Sequence, residues 1–306
     1  MNNFAITGAA GYIAPRHMAA IRDTNNHLIA ALDPHDSVGV LDNYFPDTLY
    51  FSETDLFVNY IITANVEVQY MSICSPNYLH VSQILMGLDL GLNVICEKPL
   101  ALNMDEIHLI QEAESSGKTK VSPIMQLRSH PSIMKLKSET SRLKKRQRVQ
   151  LTYVTSRGPW YQSSWKGNVA KSGGLAMAIG IHFFDLLLWI FGPVEKNYVH
   201  LSKPNKMAGF LELEKASVSW YLSIDQNDLS KKDGKSNSSA LRSLLMNDEV
   251  FDFSSGLSNL HTDCYKEIIQ GRGLTIDDSI PSINVVTSLS TINLSTKGEL
   301  HPLIQY

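Results

Sequence analysis

Residues Thr7-Gly8-Ala9-Ala10-Gly11-Tyr12-Ile13-Ala14 set small side chains between an apolar run and a helical pattern. Such a loop lets backbone N–H groups, those of Ala10, Tyr12 and Ile13 among them, approach a pyrophosphate at a helix N-terminus, where the macrodipole favours negative charge. Gly8 suits the tight turn, Gly11 the close approach, and Ala14 the packing of helix on strand. Asp33 closes the next apolar run 25 residues after Gly8, where a carboxylate can accept both hydroxyls of a ribose. It would repel a 2′-phosphate, and no arginine follows it directly, so the pattern predicts NAD rather than NADP. Lys98 is the second candidate. At the C-terminal end of a parallel strand it would point into the crevice where a ligand lies, with Pro99 fixing the backbone and Glu97 able to hold the ammonium.

These residues need elements to hold them. Phe4 to Thr7, Leu28 to Leu32, Val68 to Cys74 and Asn93 to Cys96 read as strands. Ala14 to Asp23, His80 to Leu90 (closed by Gly91) and Met104 to Ser116 (closed by Gly117) read as helices. Their alternation predicts right-handed crossovers and a parallel sheet covered on both faces, over residues 1–122. From residue 123 the rhythm changes. Arg148 to Arg157, Lys196 to Leu201, Ala208 to Leu213 and Ala216 to Ile224 are strand candidates with little helix between them. They predict an α+β second domain over 123–306, built on a largely antiparallel open sheet. Lys231 to Ser239 reads as a solvated loop.

Two stretches carry a resemblance. Ile73-Cys74-Ser75-Pro76-Asn77-Tyr78-Leu79-His80 with Gly91 to Leu100, and Ser172-Gly173-Gly174 through Gly180-Ile181-His182-Phe183-Phe184-Asp185, resemble the glucose–fructose oxidoreductase/inositol dehydrogenase family. The resemblance implies an N-terminal Rossmann domain and a cofactor site that also uses Ser75, Pro76, Asn77, His80, Glu97 and Lys98. It also implies a catalytic pair, Lys98 and His182, with Glu97 positioning Lys98. Proline after Lys98 often follows a cis bond in that family. The family commonly has Asp or Asn four residues before this histidine; here that residue is Ala178, which leaves more acid–base work to Lys98 and His182. The Thr-Gly-x-x-Gly loop is similar to that of extended short-chain dehydrogenases as well. Those need Tyr followed four residues later by Lys, and no tyrosine here has it: Tyr153 is followed by Arg157, and Tyr161 by Trp165.

Further segments, from Gly8 to His17 through Gln126 to Pro131, Thr155 to Tyr161, Ser164 to Asn168 and on to Glu267-Gly273, are similar to the bacterial UDP-N-acetylglucosaminuronate 3-dehydrogenases of surface-polysaccharide (O-antigen) assembly. That likeness implies oxidation of the sugar 3-hydroxyl to a ketone. A base must then contact the hydroxyl while a donor meets the incipient oxygen charge. His182 as base with Lys98 as stabiliser, and the reverse, both fit. The carboxylate and diphosphate of such a substrate call for cations, and Arg128, Arg157 and Lys166 are the candidates. Tyr161, Asn168 and Ser172 would hydrogen-bond its hydroxyls or N-acetyl group; Trp160 and Trp165 read as packing residues. Relatives form dimers or tetramers, so a homo-oligomer is implied, and 2-oxoglutarate is a candidate second substrate. A dehydrogenase of a free polyol or other hexose, and a redox-dead nucleotide sensor, are the competing readings.

Bulk properties agree with a globular chain of two domains: 306 residues, 43% hydrophobic, 19% charged. A net charge of -3 gives no general attraction to nucleic acid or anionic membrane. The five basic residues in Arg142 to Arg148 read as a solvated helix end. Cys74, Cys96 and Cys264 lack the spacing of a zinc site, so no metal is expected; buried, they suit a reducing compartment. The N-terminus reads as a strand rather than a leader, and no stretch reads as the roughly 18–20 apolar residues of a membrane span, so the cytoplasm is the expected location.

Overall fold

The structure, a computed structural model, describes residues 1–229, 240–251 and 259–304. The predicted loop Lys231 to Ser239 lies outside the described residues. The chain forms two compact units, Met1–Ser129 with Ser258–Ile280, and His130–Leu257 with Pro281–Tyr306. A single boundary at residue 122 does not describe this division, because the chain returns once to the first unit.

In the first unit β1 (Asn3–Thr7), α1 (Ala14–Asp23), β2 (His27–Leu32), β3 (Leu49–Phe51), α2 (Thr54–Thr63), β4 (Tyr70–Ile73), α3 (His80–Asp89), β5 (Asn93–Glu97), α4 (Met104–Ser115) and β6 (Val121–Ile124) follow one another. The strands make one parallel sheet in the order β3-β2-β1-β4-β5-β6, the doubly wound order that opens a ligand crevice beyond the strand ends. α1 buries Ala14, His17, Met18 and Ile21, spaced i, i+3, i+4, i+7. Ala14, Met18 and Ile21 pack with Phe4, Ile6, Leu28 and Ala31 in one core, which Cys264, Tyr265 and Ile268 complete from a distant part of the chain.

The second unit holds α5 (Pro131–Ser141), β7 (Gln147–Thr155), α6 (Trp160–Ser163), α7 (Val169–Ser172), α8 (Ile181–Phe191), β8 (Val194–Lys203), β9 (Lys206–Leu213), β10 (Ala216–Ser223), β11 (Ala240–Met246) and β12 (Glu249–Phe251). α9 (Leu260–Ile269) belongs to the first unit, and α10 (Ile276–Leu289) begins in the first and ends in the second. The second sheet runs β12-β11-β7-β10-β9-β8, antiparallel except for β10 beside β7. α8 packs on one face, Phe183 against Tyr153 and Phe184 against Trp220. His301 stacks on Tyr221 and meets Thr152 Oγ1 at 2.9 Å on the other.

Two expectations change. The basic run is not a solvated helix end: α5 stops at Ser141, and Arg146, just before β7, and Arg148, within it, pair with Glu195, Glu212, Asp248 and Glu299. Val169–Phe191 is a 23-residue run of mean hydropathy 1.9, long and apolar enough to cross a membrane, contrary to expectation. The run is interrupted at Gly173, which ends α7 in a left-handed conformation, and 67% of its apolar window is buried inside the protein.

Candidate active site

β1 delivers the chain into the glycine loop, and the loop ends at α1, whose first turn carries Pro15 and no capping side chain. Gly8 sits at φ +73°, and a Cβ there would lie 2.5 Å from the Ser75 backbone nitrogen, so the loop is cut to leave room beside the turn after β4. Asp33, 5% exposed at the end of β2, accepts from the Ala10 N–H at 2.9 Å through one oxygen and from the His35 N–H at 2.9 Å through the other. The carboxylate therefore also fixes the loop. Tyr12 is 89% exposed. The cradle beside Gly8, the open helix terminus and Asp33 together fit a dinucleotide.

The turn after β4 is tied down from α3. Gln83 Oε1 accepts from the hydroxyls of Thr7 at 2.6 Å and Ser75 at 2.7 Å, joining the ends of β1 and β4. His80 is fully buried, its ring nitrogens 2.7 Å from the Pro99 carbonyl and 2.9 Å from the Ser75 carbonyl. Burial draws its pKa down, and the two carbonyls oppose that. Expected at the cofactor, His80 has both nitrogens on backbone carbonyls; it bridges the Ser75 turn to Lys98-Pro99, which a cis peptide joins. Asn77 is buried beside it, after Pro76.

Lys98 is partly buried just past β5. Burial pulls its ammonium below the ordinary lysine value, and the Glu97 charge opposes. Glu97 itself is 4% exposed. Its Oε2 accepts from the Lys98 backbone N–H at 3.2 Å, while Oε1 lies 3.0 Å from His17 Nε2 and 2.8 Å from His261 Nε2. Burial would push the carboxyl up, but hydrogen bonds from His17 and His261 outweigh it, and the group sits well below the usual carboxylate range. His17 Nδ1 meets Tyr265 Oη at 2.7 Å, which meets Ser72 Oγ at 2.6 Å. Sequence reasoning missed His261, Tyr265 and Ser72. His17 entered only as the last residue of the Gly8 to His17 segment that carries the resemblance.

His182 stands in the second unit, partly buried in the first turn of α8, directly after a π-helical turn over Ala176–Gly180. A Cβ on Gly180 would lie 2.7 Å from Leu222, so glycine lets α8 approach β10. Asp185, one turn on, is buried. Tyr161 and Gln162 stand between two cavities of that unit, of about 300 and 260 Å³. Lys166 lines the larger, with its ammonium 4.2 Å from the Trp165 ring centre; Arg157 lines the smaller. Burial pushes the Tyr161 hydroxyl up, and Arg157 partly offsets it. Asn168 is exposed and caps α7 through the Lys171 N–H.

Two expected substrate contacts are placed otherwise. Arg128 belongs to the first unit, its side chain 12% exposed and paired with Asp278 at 3.1 Å, so a carboxylate of the chain already meets its charge. Ser172 is fully buried, its hydroxyl donating to the Asn168 carbonyl and accepting from the Gly174 N–H.

Comparison with known proteins adds the chemistry. The oxidoreductase family with an NAD-binding Rossmann fold matches residues 2–124, and its C-terminal alpha/beta domain matches 145–227. The WlbA (WbpB) dehydrogenase of Thermus thermophilus, solved with NAD and alpha-ketoglutarate, is 43% identical, with a TM-score of 0.93 over 99% of this chain and 100% of that one. The same enzyme solved with NAD and UDP-GlcNAcA gives a TM-score of 0.92 at 43% identity over the same shares. Curated relatives match in part. An oxidoreductase of Cordyceps militaris is 29% identical over 39% of this chain and 15% of its own length. One of Synechocystis is 27% identical over 57% and 50%, so the chain spans at most half of these two relatives.

Proposed function

Because the chain belongs to the oxidoreductase family that joins an NAD-binding Rossmann domain to an alpha/beta C-terminal domain, we propose that it oxidises the 3-hydroxyl of UDP-N-acetyl-D-glucosaminuronic acid to the 3-keto sugar nucleotide. The observation that carries this reading is the end-to-end likeness to a dehydrogenase solved with NAD and UDP-GlcNAcA. NAD, when bound, supplies the hydride acceptor. Gly8, Ala10, Gly11, Tyr12 and Ile13 would hold its pyrophosphate, Asp33 its ribose, and Ser75, Pro76 and Asn77 the far end, with His80 shaping their turn.

His182 takes the hydroxyl proton and Lys98, as a cation, holds the charge developing on that oxygen. Ala178 offers no carboxylate to share this work, so the pair is self-sufficient. Arg157 and Lys166 supply cations for the substrate's carboxylate and diphosphate, and Tyr161 and Asn168 supply hydrogen bonds. The same site admits 2-oxoglutarate as a second substrate, a reading supported by the alpha-ketoglutarate complex of the Thermus thermophilus enzyme. We assign the protein to cytoplasmic surface-polysaccharide precursor synthesis, as a homo-oligomer.

The test is reduced-nicotinamide absorbance after adding NAD and candidate sugars. Growth with UDP-N-acetylglucosaminuronate and none with inositol or glucose is the expected result. Turnover of inositol with no response to the nucleotide sugar would overturn the substrate assignment.

A further inference from the structure

A buried carboxylate is costly unless every lone pair finds a donor. At Glu97 the donors come from three separate places: α1 gives His17, α9 gives His261, and the next residue gives its backbone N–H. The protons can be placed. His261 Nδ1 is buried with no hydrogen-bond partner among the described residues, so its proton belongs on Nε2, where Glu97 accepts it. His17 likewise donates from Nε2, leaving its Nδ1 to accept from the Tyr265 hydroxyl, which accepts in turn from Ser72. In this arrangement Glu97 accepts from three N–H donors, which hold its carboxyl well below the usual carboxylate range.

We infer that His17 and His261 are positioning residues for Lys98: through Glu97 they fix its backbone and keep a full negative charge in range of its ammonium. The inference rests on the reading that Lys98 works as a cation at the reacting carbon. Burial acts to strip Lys98 of its proton, and the Glu97 charge is what resists it. The thiols and the phenol near Glu97 add no competing charge. Burial pushes the thiols of Cys74 and Cys96 and the Tyr265 hydroxyl well up, and Cys264 to about 11, so all stay neutral in the working range. Burial draws His80 down, while the Pro99 and Ser75 carbonyls at its two ring nitrogens oppose that. The same three side chains have the composition of a metal site, all ligand atoms lying within 4.8 Å. The 2.8 and 3.0 Å contacts, however, are ordinary N–H···O lengths.

The test uses the full-length enzyme and two independent readouts. The first is competitive acetylation of lysines as a function of pH, read by mass spectrometry, which needs no substrate. Glu97→Gln keeps the shape, removes the charge, and should move the Lys98 midpoint to lower pH. An unmoved midpoint overturns the inference whatever the substrate is. The second readout is steady-state kinetics. His261→Leu and His17→Leu should lower kcat by roughly tenfold or more, with KM little changed, and His261→Gln, which retains an N–H donor, should recover most of it. Equal losses in His261→Leu and His261→Gln, or a loss confined to KM, would assign the histidines to packing alone. One equivalent of tightly bound metal whose removal abolishes turnover would likewise overturn it. Failure of the sugar-nucleotide assignment would leave the acetylation result standing.

Discussion

Removing the Lys98 side chain tests one interaction at a time, because the Glu97 contacts to His17, His261 and the Lys98 backbone N–H do not depend on it. Lys98→Ala should therefore leave the cofactor cradle standing and cut kcat by about 10²–10⁴-fold, the usual worth of a positioned proton or charge donor. NAD affinity, followed by fluorescence titration, should stay within a few fold; an unchanged turnover rate would sink the proposed mechanism. At this scale much was legible. Motif and spacing pointed to Lys98, Glu97 and Asp33, because chemistry fixed at a strand end is written in adjacent residues. The partners of Glu97 were not legible. His261 lies 164 residues away, and nothing in local pattern distinguishes a histidine that meets a carboxylate from one that fills a core. The second oxygen of Asp33 is similar: its bond to the His35 N–H is a local turn that spacing alone does not announce.

Between elements, the sensitive contact is the one where the β1–α1 loop meets the turn after β4. Gly8 occupies a left-handed conformation, and an added Cβ would press on the Ser75 nitrogen, the Cys74 carbonyl carbon and the Ser75 Cα, all backbone atoms that cannot rotate away. Gly8→Ala should destabilise the protein by about 1–3 kcal/mol and weaken NAD at least as much as it weakens the fold, because Gln83 couples the same two strand ends. Thermal unfolding with and without NAD reads both effects; an unchanged midpoint and an unchanged NAD-induced rise would refute the role given to this contact. Strands and helices with clean periodicity were readable here, α1 to the residue. α2 and β3 were missed: β3 has only three residues, and α2 buries only Phe57, so neither presents a sustained stripe. The π-helical turn before His182 has no sequence signature at all, since Ala176 to Gly180 would suit an ordinary helix equally well.

Across the whole chain, the change from parallel to largely antiparallel pairing followed from the rhythm of the elements, whereas the return of α9 to the first unit did not. α9 earns its place by burying Cys264, Tyr265 and Ile268 against Phe4 and Ile6, a match of surfaces far apart in sequence that no local period records. The reaction cycle also belongs to this scale. An enzyme that oxidises an alcohol must dispose of the hydride it has taken, and it can either release the reduced cofactor or reoxidise it in place. The second course is the one that goes with 2-oxoglutarate as second substrate, as proposed above. On that reading hydride would pass to C2 of 2-oxoglutarate and a proton would complete 2-hydroxyglutarate, so two electrons would enter from the sugar and two would leave with the acid. Arg157 and Lys166 would serve both substrates, since each brings an anion. In a single turnover, addition of the nucleotide sugar to the NAD-loaded enzyme should raise the reduced-nicotinamide signal to at most one equivalent per subunit. Adding 2-oxoglutarate should then abolish the signal and yield 2-hydroxyglutarate in equal amount. Reduced cofactor accumulating in solution beyond one equivalent, unaffected by 2-oxoglutarate, would show instead that it leaves after each turnover.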